Sequence, residues 1–253
     1  MKSQLAIELS ENAVLFASLE DGIVQSVDRF TFKDKIDYRY KEQLDLIFTE
    51  KGYRERHYDE YSLSWYSIHS TLLPNNVFSE TKPEALFKLC YSADIPNDHI
   101  DYNRIPELSV VNVFSIPLWV KSFFVIKFPR IVIQHEGSHL LHGLFAGSTY
   151  KLKGIIILHE SSFNLVLANE NGLQFYSHFD FHSADDVIYH FIYSLQQRGF
   201  FGMSGGLTLC AGIGSNDEYA IEIKKKLESI KELKSLKINI NSHLLINYQT
   251  LCV

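Results

Sequence analysis

Leu5-Ala6-Ile7-Glu8-Leu9-Ser10-Glu11-Asn12-Ala13-Val14-Leu15-Phe16-Ala17-Ser18-Leu19-Glu20-Asp21-Gly22-Ile23 reads as two strands and the tight turn into a third. Leu5 to Leu9 alternates apolar with polar or small residues, Ala13 to Leu19 repeats the pattern, and Asp21-Gly22 supplies the positive backbone angles of a two-residue hairpin before Ile23 to Phe32. The same unit occurs again downstream. Ile155 to Leu158, Phe163 to Ala168, the turn Asn171-Gly172 and Leu173 to Phe181 form a second meander, with the two turns 150 residues apart.

Each meander leads into a helical stretch. Ile36 to Phe48 follows the first, and Asp185 to Gln197 follows the second, where Val187, Ile188, Phe191, Ile192 and Leu195 recur at helical spacing. Both halves continue as strand, helix, strand. The first uses Ser62 to Thr71, Lys82 to Tyr91 and Leu108 to Phe114; the second uses Leu207 to Cys210, Asn216 to Ser229 and Leu236 to Ile240. The first half adds a helix over Leu118 to Phe128, a strand over Arg130 to Gln134 and a helical turn near Ser138 to Phe145, ahead of a junction at Ala146-Gly147-Ser148. The expectation is an α/β chain with an α+β tendency: lobes 1–148 and 149–253, each a mixed sheet with helices on its faces.

Composition bounds the function. Of the 253 residues, 46% are hydrophobic and 21% charged, which suits an ordered chain with a substantial core. A formal net charge of -6 argues against a nucleic-acid partner, because that affinity comes from clustered Lys and Arg. Cys90, Cys210 and Cys252 show no paired spacing, as expected of a reducing, cytoplasmic setting. Met1 to Leu9 lacks a basic-then-apolar leader, and no run of about eighteen apolar residues occurs, so neither a signal peptide nor a membrane span is expected.

The duplicated meander, Leu5 to Phe32 and Gly154 to Phe181, together with Leu207-Thr208-Leu209-Cys210-Ala211-Gly212-Ile213-Gly214, resembles the actin, Hsp70 and sugar-kinase superfamily, whose core is ribonuclease-H-like. More narrowly, the chain is similar to an uncharacterised bacterial domain-of-unknown-function family of actin-like ATPase fold, akin to the pilus-assembly and cell-division actin homologues. That resemblance implies an Asp-x-Gly at each of two hairpins, where backbone N–H groups cradle phosphate and the Asp organises Mg²⁺. Here the first place reads Glu8-Leu9-Ser10 and the second His159-Glu160-Ser161. The resemblance further implies a glycine turn against adenosine, matched by Ala211-Gly212-Ile213-Gly214; the plain alternative is a strand-to-helix turn with Ser215 or Asn216 capping the next helix. Glu8, Ser10, Gly212 and Gly214 are the candidate nucleotide contacts. The reading is a non-catalytic protein-interaction scaffold with no cofactor, against a weak Mg-ATP binder or ATPase as alternative.

One motif points elsewhere. His135-Glu136-Gly137-Ser138-His139 spells HExxH, the zinc-peptidase pattern in which two histidines one helical turn apart bind metal. That chemistry needs an unbroken helix, yet Pro129-Arg130-Ile131-Val132-Ile133-Gln134 reads as a strand, and Gly137 suits the turn to a helix starting near Ser138. The histidines would then point apart, and no metal site is expected. His142 and Glu160 are the available third ligands.

No Gly-x-Ser-x-Gly elbow occurs. Lys224, Lys225, Lys226, Lys231, Lys234 and Lys237 interleave with Glu222, Glu228 and Glu232 as a salt-bridged surface helix. Gly205-Gly206 reads as the end of a loop before a strand, and Tyr53 to Tyr61 as a solvated loop or an interface segment. His243 to Val253 is apolar enough to dock on its lobe or to meet a partner.

Overall fold

The computed structural model describes the chain except residues 1, 35, 36, 54, 92–94, 148–150 and 253. The helix start expected at Ile36, the loop residue Arg54 and the junction residue Ser148 therefore lie outside the described residues. The chain divides into two compact units, Met1–Leu144 with Leu245–Val253, and Phe145–Leu244.

In the first unit, β1 (Ser3–Leu9), β2 (Ala13–Glu20) and β3 (Ile23–Thr31) form the antiparallel meander, followed by α1 (Asp37–Glu50). β4 (Glu60–Trp65) lies parallel to β1, and β8 (Val132–His135) parallel to β4, giving the order β3-β2-β1-β4-β8. Leu5, Ile7, Leu9, Val14, Phe16, Leu63 and Trp65 are buried on one face. They pack under α1 and α3 (Leu118–Lys127), with Phe16 stacked on Tyr53 at 4.8 Å and edge-on to Phe48 at 5.3 Å. The Tyr53 hydroxyl donates to Asp28 at 2.6 Å, so the one polar atom of that ring is satisfied.

Between β4 and β8 the chain builds a second, smaller sheet that the sequence pattern shows only in part. β5 (Ser70–Pro74), β6 (Ile100–Ile105) and β7 (Val110–Ser115) pair antiparallel in the order β5-β7-β6, under α2 (Pro83–Cys90). The strand expected from Ser62 to Thr71 is thus two strands of different sheets, and β6 was unforeseen. Asp101, Asn103 and Arg104 in β6 hide its apolar alternation. α4 (Glu136–Phe145) starts directly after β8, two residues earlier than expected, so Gly137 lies inside the helix rather than in a turn.

The second unit repeats the plan. β9 (Leu152–Leu158), β10 (Ser162–Asn169), β11 (Gly172–Asp180), β12 (Gly205–Ala211) and β13 (Leu236–Ile240) are ordered β11-β10-β9-β12-β13, with β12 parallel to both neighbours. Both meanders carry a register shift, between Ser18 and Leu19 and between Leu167 and Ala168; Gly22 lies in the first turn at φ 77°, whereas the second turn is Glu170-Asn171 and Gly172, φ 94°, opens β11. α5 (Ala184–Gln197) opens with a capping box: the Asp186 N–H donates to Ser183 Oγ, and the Ser183 N–H donates to the Asp186 carboxylate. The His182 N–H, 2.9 Å away, together with that of Ser183 donates to the Asp186 carboxylate and holds it below its ordinary value.

Two expectations need correction here. Gly205 and Gly206 belong to β12 rather than to a loop, and a β-carbon on Gly205 would overlap the Leu152 carbonyl of β9, so close strand approach explains the glycine. The lysine-rich helix α6 (Asp217–Ser229) ends before Lys231 and Lys234, and Lys237 lies in β13; within the helix Lys226 pairs with Glu222 at 3.0 Å.

The last helix, α7 (Leu244–Gln249), leaves the second unit and returns to the first. Leu245 and Ile246 are buried, and fully buried Gln249 accepts from Ser62 Oγ at 2.9 Å, where Gln4 also donates to Ser62 at 3.2 Å. The Tyr248 ring packs against Gly143 of α4 so closely that any β-carbon there would come within 2.0 Å of its Cγ. The apolar tail expected at His243 to Val253 docks, but Leu245–Val253 belongs to the first unit and not to the lobe in which the sequence placed it.

Candidate functional site

Four stretches carry the candidate chemistry, two in each unit. In the first unit β1 presents Glu8 on the face opposite the apolar core, because Ile7 and Leu9 point into that core. Glu8 is buried and stands beside Ser64 of β4, which stands beside Gln134 of β8, making a lateral polar row across three parallel strands near their C-terminal ends. Ser64 Oγ and Gln134 Oε1 are both buried without a hydrogen-bond partner. Sequence reading found Glu8 but missed its two neighbours, since only strand register brings them together.

Ser10 is buried and occupied by its own turn: Oγ accepts the N–H groups of Asn12 and Ala13 at 3.1 Å each, and the Ser10 N–H donates to the Ala13 carbonyl at 3.0 Å. It closes the β1–β2 turn in the manner of a side-chain-capped loop.

In the second unit, the turn after β9 places His159 against the turn after β12. His159 is buried, and a β-carbon on Gly212 would come within 2.7 Å of its Cε1. Its Nδ1 is 3.2 Å from the Ile213 carbonyl, and the Gly212 N–H donates to the Leu158 carbonyl at 2.7 Å. Gly214 takes the left-handed conformation, φ 82°, and Asn216 caps α6 by accepting the Glu218 N–H at 3.1 Å. Glu8 and Ser10 belong to the first unit, and Gly212 and Gly214 to the second.

The HExxH stretch is a packed joint of the first unit. The Gly137 N–H donates to His135 Nδ1 at 3.0 Å, which leaves the ring proton on Nε2, facing the Ser67 carbonyl at 3.0 Å. Asn112 donates to Ser138 Oγ at 3.0 Å, and Ser138 donates to Asn103 Oδ1 at 2.9 Å, so the small sheet is keyed to the start of α4. His139 is fully buried with Nε2 3.4 Å from the Leu63 carbonyl, and burial depresses its pKa to about 4. His142 pairs instead with Glu107. The three histidines serve three different partners, and among the described residues no group of three metal-ligating side chains converges.

The comparisons agree with this fold. The family described as "Protein of unknown function (DUF3822)" matches residues 1–230, and the chain belongs to it. None of the curated proteins matches. Among solved structures, a Bacteroides thetaiotaomicron protein with actin-like ATPase fold and unknown function is 17% identical at a TM-score of 0.74, covering 98% of this chain and 96% of that one. The PilM-PilN type IV pilus biogenesis complex contains a chain 9% identical at a TM-score of 0.58, covering 93% of this chain and 90% of that chain. At these identities the likeness concerns the fold, which is the actin-like ATPase fold with two related lobes.

Proposed function

Starting from membership of that family, we propose that this chain is a non-catalytic member of the actin-like fold that acts by holding a protein partner. The observation that carries the reading is the contact of His159 with Gly212. In the superfamily that the sequence resembles, the glycine turn faces adenosine and the preceding hairpin presents an aspartate and a glycine. Here an imidazole packs against the turn, and no carboxylate occupies position 159. Ser10 supports the same reading, because its hydroxyl closes its own turn. Partner binding draws support from the pilus-biogenesis relative, which is a complex of two proteins.

A second reading rests on a separate observation. Glu8 stands in a row with Ser64 and Gln134, two of whose oxygens have no hydrogen-bond partner. A hydrated Mg²⁺ with its nucleotide would satisfy such a row. Thermal-shift titration with Mg-ATP and Mg-ADP, beside a steady-state ATPase assay, separates the two. The scaffold reading expects no shift and no turnover, whereas turnover abolished by Glu8→Gln overturns it.

A further inference from the structure

The outer surface of the first unit carries an open groove of about 620 Å³ between α1 and the first turns of α3, lined by Tyr38, Lys41, Leu118, Trp119, Lys121 and Ser122. Its floor is aromatic. Trp119 is buried, only 6% exposed, and stacked on Tyr40 at 4.9 Å, so its ring is held rigid. The rim is apolar and wet: Tyr38 is 55% exposed and Leu118 46%. Beyond Lys121 and Ser122 the same stripe of α3 carries Val125 and Ile126, the latter 80% exposed. Leu118 and Tyr38 thus leave apolar surface open beside a preformed aromatic floor.

Charge selects the occupant. Both charged residues lining the groove are lysines, on a chain whose net charge is -6. Lys121 is partly neutralised by Asp101, 3.0 Å away, so Lys41 supplies most of the selectivity. Two such grooves facing each other would set lysine against lysine, so this face disfavours a symmetric pairing with its own copy and favours a partner of opposite local sign. A groove between two helices, with Leu118 and Tyr38 at its rim and an aromatic floor, fits an amphipathic helix whose anchors recur every three or four residues.

We propose that the groove between α1 and α3 docks an acidic amphipathic segment of a protein partner, its apolar anchors over Trp119 and its carboxylates toward Lys41 and Lys121. This rests on the partner-holding reading above and names its surface. The anchors cover Leu118 and Tyr38, and the acidic flank fixes orientation and speeds encounter at low salt.

The test uses the whole chain and two labelled amphipathic peptides with identical Leu and Trp anchors, one carrying Glu and the other Lys at every polar position. Fluorescence anisotropy is expected to show the Glu peptide binding at least about tenfold more tightly, with the difference shrinking at high salt. Lys41→Glu reduces or reverses the preference, and Leu118→Asp abolishes binding; both changes sit at the solvent-facing rim, and a folded circular-dichroism spectrum checks each variant. Equal binding of the two peptides, no binding of either, or indifference to both substitutions overturns the proposal. Concentration-dependent dimerisation removed by Leu118→Asp assigns the face to a second copy and overturns it as well. Failure here with no response to Mg-ATP removes the groove alone, whereas ATP turnover sensitive to Glu8→Gln removes the scaffold reading while peptide binding still stands or falls separately.

Discussion

The His159 imidazole packs against Gly212 so closely that its Cε1 lies 2.7 Å from where a β-carbon on residue 212 would stand. The Ile157 side chain closes the other side at 2.9 Å, and the backbone is pinned by the Gly212 to Leu158 hydrogen bond. Glycine is therefore required here by space, whatever else the turn does.

Gly212→Ala is expected to destabilise the folded chain by about 1–3 kcal/mol, the usual cost of overpacking a filled interior. Urea denaturation measures it. In the His159→Ala background the same substitution should cost much less, and additive losses in the double-mutant cycle would contradict the contact.

The His139 imidazole sets a pH dependence. Burial lowers its folded-state value to about 4 from 6.5, while the unfolded chain takes up the proton near 6.5. Stability from this residue is complete above 6.5, declines as pH falls from 6.5 toward 4, and levels off below. Its size is at most about 3 kcal/mol at 1.36 kcal/mol per unit. His135, His142 and Glu136 are the charged or titratable groups that act on it. Denaturant midpoints measured from pH 7 to 4 should fall more steeply for the parent than for His139→Gln, whose amide can still donate to Leu63; parallel curves would refute this.

Gly143→Ala inverts an ordinary rule. Alanine normally stabilises a helix interior by about 1 kcal/mol over glycine. At position 143 the new methyl would occupy the Tyr248 ring, so the expected result is release of residues 245–252. Hydrogen exchange in that segment should accelerate at least about tenfold. Adding Tyr248→Ala should return the benefit of the alanine to α4.

Zinc offers a cheap discrimination. His135 Nε2 and His139 Nε2 each face a backbone carbonyl, of Ser67 and Leu63. Equimolar zinc is expected neither to bind stoichiometrically nor to raise the melting temperature. Stoichiometric metal removed by His135→Ala would reinstate the peptidase motif.

The parts of the fold legible in the sequence were those with local signals. The two hairpins announce themselves through Asp21-Gly22 and Asn171-Gly172, and α3 and α5 through apolar periodicity. The small sheet was only half visible, because β6 mixes Asp101, Asn103 and Arg104 into its core alternation, and because β4 and β5 are separated by four residues that look like strand. The candidate sites divide the same way. Glu8 and Gly212 could be singled out from motif positions, but Ser64 and Gln134 join Glu8 only through parallel register, and His159 meets Gly212 only through the pairing of β9 with β12. Long-range pairing leaves no mark within a short window of sequence.

The return of residues 245–252 to the first unit has a consequence for biosynthesis. Gln249, Ile246 and Tyr248 complete a unit whose other residues lie before position 145. On the ribosome, the second unit, being continuous, has all its contacts available first, while the surface formed by Ser62, Gln4 and Gly143 waits uncovered until more than a hundred further residues have emerged. The unit translated first is thus the last to be finished, and in that interval its seam stays uncovered.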